Sequence, residues 1–328
     1  MKIAMLMDRN TRSQVLDPET IQRFASLGEL SWNETDGNEL RNAKKVIQGA
    51  DIAVTSWGSP AMTGELLDQA PGLKLVLHAA GSVKPIVTEE MYRRGIRIIS
   101  SAYVLSSGVS ETALGLTIAG CKNFFSLNQE IRQGGWSHTG VTDLYGITVG
   151  IVGFGIAGSH FAELLANFTV KVIAYDLYVP EERMTALGTE KADTLEELLE
   201  RSDVVSLHAP SIDDTYHMIN KETLSRMKDG AILINTARGS LVDEEALVYA
   251  LESGKLKYAL LDVTDPEPPA ADSRLRTLPN CILTPHLAGQ AGNGLRKIGL
   301  HCCQELERFI AGRPLLYEVT EEMLAKMA

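Results

Sequence analysis

The stretch TVGIVGFGIAGSHFAELLA, residues 148–166, constrains the fold more than any other part of the chain. An apolar strand runs straight into Gly153-Phe154-Gly155-Ile156-Ala157-Gly158, and an apolar helical pattern (Phe161, Leu164, Leu165) opens directly after it. A bare GxGxxG is weak evidence, but a position between a strand and a helix is the context the motif requires. The first glycine permits the tight turn, the second lets a pyrophosphate approach the backbone, and the third lets helix and strand pack closely. Free amides and the positive dipole end at such a helix start hold phosphates.

The next strand, KVIAYD, ends in Asp176, 18 residues beyond Gly158. That is close to the separation expected for a carboxylate on the adenosine ribose. A 2′-phosphate there meets like charge, which at about 4 Å costs on the order of 4 kcal/mol at an effective dielectric near 20. No Arg or Lys in the following LYVPEE reverses the preference. The cofactor expected is therefore NAD rather than NADP.

Strand-like runs alternate with helical patterns along almost the whole chain, which implies parallel sheets with crossover helices. The first series of strands is KIAMLM, DIAVTS, LKLVLHAA and IRIIS; all but the last precede a helical pattern, for example 61–69 and 87–94. A long apolar helix is expected from about Ser107 to Phe125, then a polar, Gly-rich stretch, RQGGWSHTGVTDLYG. Six further strands follow, at 148–152, 171–175, 203–207, 231–235, 257–262 and 281–284. A second long helix, about 294–311, ends at AGRP, a Gly-then-Pro stop signal.

The fold class expected is α/β in two domains: a Rossmann-type, doubly wound NAD-binding domain at 102–288, inserted in a flavodoxin-like substrate domain made of 1–101 and 289–328. The two long helices are expected to be the crossings.

With 42 acidic and 31 basic residues, the net charge of −11 repels phosphate backbones and argues against a nucleic-acid partner. No run of about 18 apolar residues is apparent, so no membrane span is expected. The opening MKIAMLMD reads at once as a strand and lacks the features of a secretory leader. The four cysteines, Cys121, Cys281, Cys302 and Cys303, show no CxxC spacing and read as buried thiols of a cytoplasmic protein; no metal site is expected.

Ligands of a doubly wound sheet lie beyond the carboxyl ends of its strands. Arg238 follows the strand AILIN, Asp262, Asp265 and Glu267 follow the next, and His286 follows the last. Taken singly, each has a plainer reading: a loop-capping arginine, a solvated turn glutamate, a strand-end histidine. Together they suit hydride transfer. An imidazole handles the hydroxyl proton because its ordinary pKa is near neutral. A carboxylate beside the ring fixes it, and a guanidinium grips a substrate carboxylate through two hydrogen bonds. A substrate whose carboxylate adjoins the reacting carbinol uses all three, which describes a 2-hydroxy acid and its 2-oxo partner.

At these residues the chain resembles the D-isomer-specific 2-hydroxyacid dehydrogenases. The matching pieces are GIVGFGIAG, YD at 175–176, LHAP at 207–210, INTARG at 234–239, LDVTDPEP at 261–268 and TPHLAG at 284–289. The resemblance implies that Arg238 orients the substrate, that Glu267 pairs with His286, and that His286 is the acid/base. It implies cofactor contacts from Gly153, Gly155, Ile156, Ala157, Gly158, Asp176, His208, Ala209, Pro210, Thr215, Thr236, Ala237 and Gly289, and puts Asp262 near the nicotinamide amide. It implies a homodimer through the cofactor domains.

In relatives, a Gly-rich loop at the place of HAAGSVKP offers backbone amides to the substrate carboxylate; here Ala80, Gly81 and Ser82 stand there. The Lys84-Pro85 that follows is unusual, as is Gly155-Ile156-Ala157-Gly158 where relatives often carry Gly-Arg-Ile-Gly. Formate oxidation is disfavoured, since that relative has Gln at the place of Glu267. The 42 residues after His286 leave no room for a regulatory domain like that of some phosphoglycerate enzymes. A rival reading is an NAD-responsive, co-repressor-like binding protein on the same fold.

Overall fold

A computed structural model describes residues 1–290 and 292–327. The chain divides into two compact units, Met1–Leu105 with the segment from Gln290 onward, and Ser106–Gly289. The expected boundaries were 101/102 and 288/289. The first division falls four residues later because the helix Ala102–Cys121 begins in one unit and continues into the other.

The first unit holds a parallel sheet of five strands: β1 (Lys2–Met5), β2 (Glu29–Trp32), β3 (Ile52–Thr55), β4 (Leu75–His78) and β5 (Arg97–Ser100), in the order β2-β1-β3-β4-β5. This is the flavodoxin-like order. The sequence pattern marks four of them. It misses β2, whose residues ELSW are exposed or half-buried at the sheet edge and so lack an apolar run. β3 and β4 are buried throughout, as central parallel strands covered on both faces are. On one face the helix Gly294–Ile310 packs Ile298, Cys302, Cys303 and Leu306 against Met5, Val54, Leu75 and Leu77. Gly299 lets it approach closely: a Cβ there would lie 2.4 Å from the Val15 carbonyl oxygen.

The second unit holds seven parallel strands: β6 (Thr148–Val152), β7 (Lys171–Tyr175), β8 (Glu190–Lys191), β9 (Val204–Leu207), β10 (Ala231–Asn235), β11 (Leu256–Leu261) and β12 (Cys281–Leu283). Their order, β12-β11-β10-β9-β6-β7-β8, reverses at β6/β9. This is the doubly wound dinucleotide-fold order extended by one strand. The count is seven rather than the six expected, because β8 is a two-residue polar edge strand with no apolar signal.

The long apolar helix runs over Ala102–Cys121, not 107–125. Asn123 stops it by adopting φ +57°, a left-handed conformation that asparagine tolerates. A second helix, Phe124–Arg132, then starts. The expectation about membrane spans needs correcting here: by length and composition alone, Ala102–Cys121 is apolar enough to cross one. Within its own unit it is a packed helix. The Ser110 hydroxyl donates to the Ala157 carbonyl at 2.9 Å, and Gly120 faces Ile232 and Leu260 so closely that a Cβ would stand 3.1 Å from each. All four cysteines are buried and free.

Candidate active site

The loop after β6 is built from its glycines upward. Gly153 sits at φ +90°, and a Cβ on it would lie 2.6 Å from the Ala209 amide nitrogen, so the turn abuts the loop after β9 at the point where strand order reverses. A Cβ on Gly158 would be 2.1 Å from the Gly153 carbonyl oxygen, so helix and turn touch backbone to backbone. Gly155 is different: a Cβ there would meet nothing within 4 Å and would only fill open space. It N-caps the helix Ile156–Leu165 without a side-chain cap, which leaves the first-turn amides of Ile156, Ala157 and Gly158 for a ligand.

Asp176 stands just beyond β7. Its Oδ2 accepts from the Phe154 amide at 2.7 Å, and its Oδ1 accepts from the amides of Tyr178 at 2.8 Å and Val179 at 3.0 Å. The carboxylate thus caps a local turn and ties β7 to the glycine loop, with lone pairs to spare.

The loop after β9 adds His208, Ala209, Pro210 and Thr215. Thr215 spends its hydroxyl within the loop, donating to the Pro210 carbonyl at 2.6 Å. His208 shares a 2.9 Å hydrogen bond between Nε2 and the Ser206 hydroxyl. Burial pushes its pKa down to about 4, so the ring is neutral. Among the described residues, His208 Nδ1 and the Thr236 hydroxyl are buried without a hydrogen-bond partner. Such orphaned polar atoms are rare. Together with the open space at Gly155 and the uncapped helix start, they fit a polar dinucleotide.

The reacting groups come from the ends of β10, β11 and β12. Asn235, the last residue of β10, is buried; it donates to the Arg238 carbonyl at 2.8 Å and accepts from the Ala237 amide at 3.0 Å. This side chain shapes the turn that carries Thr236, Ala237 and Arg238. The Arg238 guanidinium donates to the Ala237 carbonyl at 2.7 Å. Burial lowers its pKa below the ordinary arginine value, and the Glu267 carboxylate nearby acts in the opposite sense. It remains a cation, only partly desolvated.

Gly239 then explains why an arginine precedes a glycine here. A Cβ on it would lie 2.0 Å from the Thr264 carbonyl carbon and 2.5 Å from the Asp265 amide nitrogen. The turn after β10 therefore lies directly on the turn after β11, which brings Arg238 beside Glu267. Glu267 is steadied through Oε1 by the Thr264 amide at 3.3 Å, and its Oε2 meets His286 Nδ1 at 2.9 Å.

Asp262 holds the other side. It is buried, and its carboxylate accepts from the Thr284 hydroxyl, the Leu287 amide (3.0 Å) and the Ala288 amide (2.8 Å). The His286 amide donates to the Asp262 carbonyl at 2.9 Å, and His286 itself takes φ +50°. Asp262 therefore fixes the strained loop that presents the imidazole, a task distinct from the nicotinamide contact that the resemblance implies for it. Gly289 lies just beyond this loop.

Arg238, Asp262, Glu267 and His286 thus form one cluster at one edge of the sheet. Ala80, Gly81 and Ser82 belong to the other unit, in the loop after β4. Sequence reasoning overlooked Asn235, Thr264 and Thr284. For Asn235 a signal was present, because Asn before a short polar run is a turn former; the other two act through contacts that only the fold creates.

Residues 114–288 match the family model described as D-isomer specific 2-hydroxyacid dehydrogenase, NAD binding domain. Among curated relatives, the hydroxypyruvate reductase of Thermotoga maritima is 32% identical over 295 residues, 89% of this chain and 94% of the relative. The D-3-phosphoglycerate dehydrogenase of Methanocaldococcus jannaschii is 33% identical over 269 residues, 81% of this chain but 51% of the relative. The chain thus spans about half the length of that enzyme. Among solved structures, the TT0316 protein of Thermus thermophilus is 31% identical, with a TM-score of 0.79 over 98% of this chain and 100% of that one. D-mandelate dehydrogenase of Rhodotorula graminis has the same fold, with a TM-score of 0.83 at 24% identity over 98% and 97% of the two chains. The match to the NAD-binding domain over more than half the chain, and to a relative aligned along nearly its full length, places the chain in the D-isomer specific 2-hydroxyacid dehydrogenases, a family of NAD-dependent oxidoreductases.

Proposed function

We propose that the protein interconverts a D-2-hydroxy acid and its 2-oxo acid, with His286 as acid/base, Glu267 as its partner and Arg238 as the substrate-carboxylate ligand. The observation that carries this reading is the 2.9 Å contact between His286 Nδ1 and Glu267 Oε2, made beside a guanidinium that the same carboxylate acts on. A carboxylate can only accept, so Nδ1 carries the proton and Nε2 is left for the substrate. In oxidation Nε2 takes the hydroxyl proton; in reduction it returns a proton to the carbonyl oxygen. The resulting imidazolium is stabilised by Glu267. Arg238, already partly desolvated, gives up little further hydration when it binds the substrate carboxylate and sets the reacting carbon in place.

NAD, when bound, supplies or accepts the hydride. The residues that hold it in this reading are the glycine turn, the helix start at Ile156–Gly158, the Asp176 carboxylate on the ribose, the loop His208–Thr215, Thr236, Ala237 and Gly289. Asp176 selects NAD over NADP by like-charge repulsion. The loop Ala80–Ser82, in the other unit, is in this reading a source of backbone amides for a substrate carboxylate.

We also propose a homodimer formed through the cofactor unit, in the cytoplasm. Support comes from the segment after the helix Ala102–Cys121, where Phe124, Ile131, Trp136 and Tyr145 are each more than half exposed, and from four free thiols. Sedimentation should give twice the 35.7 kDa chain mass. The activity is tested by following NADH oxidation with glyoxylate, hydroxypyruvate, pyruvate and bulkier branched or sugar-derived 2-oxo acids. Turnover of at least one is expected. No oxidation with any, alongside tight peptide binding, would favour the co-repressor-like reading.

A further inference from the structure

The loop after β4 carries an unusual set of hydrogen bonds. Five carbonyls in a row, from residue 78 to residue 82, each have a hydrogen-bond partner. The His78 carbonyl accepts from the Ser101 hydroxyl at 2.9 Å, that of Ala79 from the Ser56 hydroxyl at 2.8 Å, and that of Ala80 from the Ser101 amide at 3.1 Å. The Gly81 carbonyl accepts from the Ser100 hydroxyl at 2.6 Å, and the Ser82 carbonyl lies 3.0 Å from His78 Nε2. In a trans peptide the N–H points opposite to the preceding C=O. Carbonyls of Ala80 and Ser82 held in this way therefore point the amides of Gly81 and Val83 away from those partners. Among the described residues, neither of these two amides donates a hydrogen bond.

His78 closes this arrangement from below. It is buried, 3% exposed, and its Nδ1 lies 2.9 Å from the Thr55 hydroxyl. A carbonyl can only accept, so Nε2 carries the proton and Nδ1 takes the Thr55 hydrogen. Burial holds the ring neutral, with its pKa pushed down to about 4. A neutral ring locked in one tautomer by Thr55 gives the Ser82 carbonyl a donor of fixed direction.

We infer that His78 is a positioning residue for substrate binding: with the Ser100 hydroxyl it sets the peptide planes of Gly81 to Val83 so that their amides address the substrate carboxylate. The inference rests on the proposed function, in which that loop binds the carboxylate. Two substitutions separate the bond from the bulk. His78→Asn keeps a group facing Thr55 but has none that reaches the Ser82 carbonyl. His78→Gln places an amide N–H near the position of Nε2.

Three quantities are measured: the KM and kcat for a 2-oxo acid that the wild type reduces, the Kd of oxalate for the NADH complex, and the Kd of NADH. His78→Asn should raise the 2-oxo acid KM and the oxalate Kd about tenfold, as loss of alignment to a charged acceptor does. Its kcat and its NADH Kd should stay within about twofold of wild type. His78→Gln should restore most of the difference. Should His78→Asn fail to fold, Ser100→Ala relaxes the same loop at Gly81 and is expected to show the same split. Unchanged KM and oxalate Kd in a folded variant, or equal damage from His78→Gln, would overturn the inference. A wild type that neither turns over a 2-oxo acid nor binds oxalate would instead bring down the functional reading on which it rests.

Discussion

Replacing Gly239 with alanine probes how the catalytic cluster is assembled. The added Cβ would lie 2.0 Å from the Thr264 carbonyl carbon and 2.1 Å from its oxygen, against 3.4 Å for ordinary contact. The obstacle is backbone, so no side-chain rotation relieves it, and the turns after β10 and β11 must separate by about 1.4 Å. Overpacking of this kind costs about 1–3 kcal/mol of stability, which a chain of this size can bear. The consequence for catalysis is larger. Arg238 moves with one turn and Glu267 with the other, so the guanidinium shifts by about 1 Å relative to the His286–Glu267 pair, enough to cost on the order of 100-fold in kcat/KM. The glycine turn at 153–158 is built separately, so NADH should still bind. The assay combines steady-state kinetics, an NADH fluorescence titration and a thermal melt. A folded Gly239→Ala protein with kcat/KM within about threefold of wild type would refute the idea that contact between these two turns aligns the cluster.

Cofactor choice should respond to Asp176. The double change Asp176→Ser with Leu177→Arg removes the carboxylate and supplies a cation, and should shift the ratio of kcat/KM for NADH and NADPH toward NADPH; an unchanged ratio rejects the ribose assignment. Acid stability should respond to the buried histidines. His78 and His208 both have pKa values pushed down to about 4 by burial, against 6.5 in an unfolded chain. Between these values the unfolded chain binds more protons, so stability is complete above about pH 6.5 and is lost as pH falls toward 4, by about 3 kcal/mol for each ring. His208→Leu should make the slope of unfolding free energy against pH shallower by about one proton over this range; urea titrations at several pH values check it.

Much of the fold was legible because most of its strands are buried and apolar. β10 reads AILIN and is buried at every residue, and β6 leads into the glycine turn with an equally clear pattern. The two strands that escaped, β2 and β8, are edge strands held by one neighbour, and their polar residues carry no periodic signal. The helix end at Cys121 escaped for another reason. Phe124 and Phe125 extend the apolar pattern, but the left-handed Asn123 is stabilised by tertiary bonds, donating to the Thr139 carbonyl and accepting from the Tyr258 hydroxyl. In the site, Arg238, Glu267 and His286 stood out because their chemistry is conspicuous at strand ends. Asp262 and Gly239 were visible as residues but not in their tasks, since a loop held by one carboxylate and a contact between two turns exist only once distant segments meet. His78 opens the stretch HAAGSVKP, but only the pairing of β4 with β5, which sets His78 opposite Ser100, shows what it holds.

A double-mutant cycle on His286 and Glu267 tests the central claim most directly. His286→Ala should lower kcat/KM by about 10²–10⁴ while NADH binding is retained. Glu267→Ala in that background should cost almost nothing more, because the carboxylate acts through the ring. Wild-type turnover in His286→Ala, or losses that simply multiply in the double variant, would contradict it.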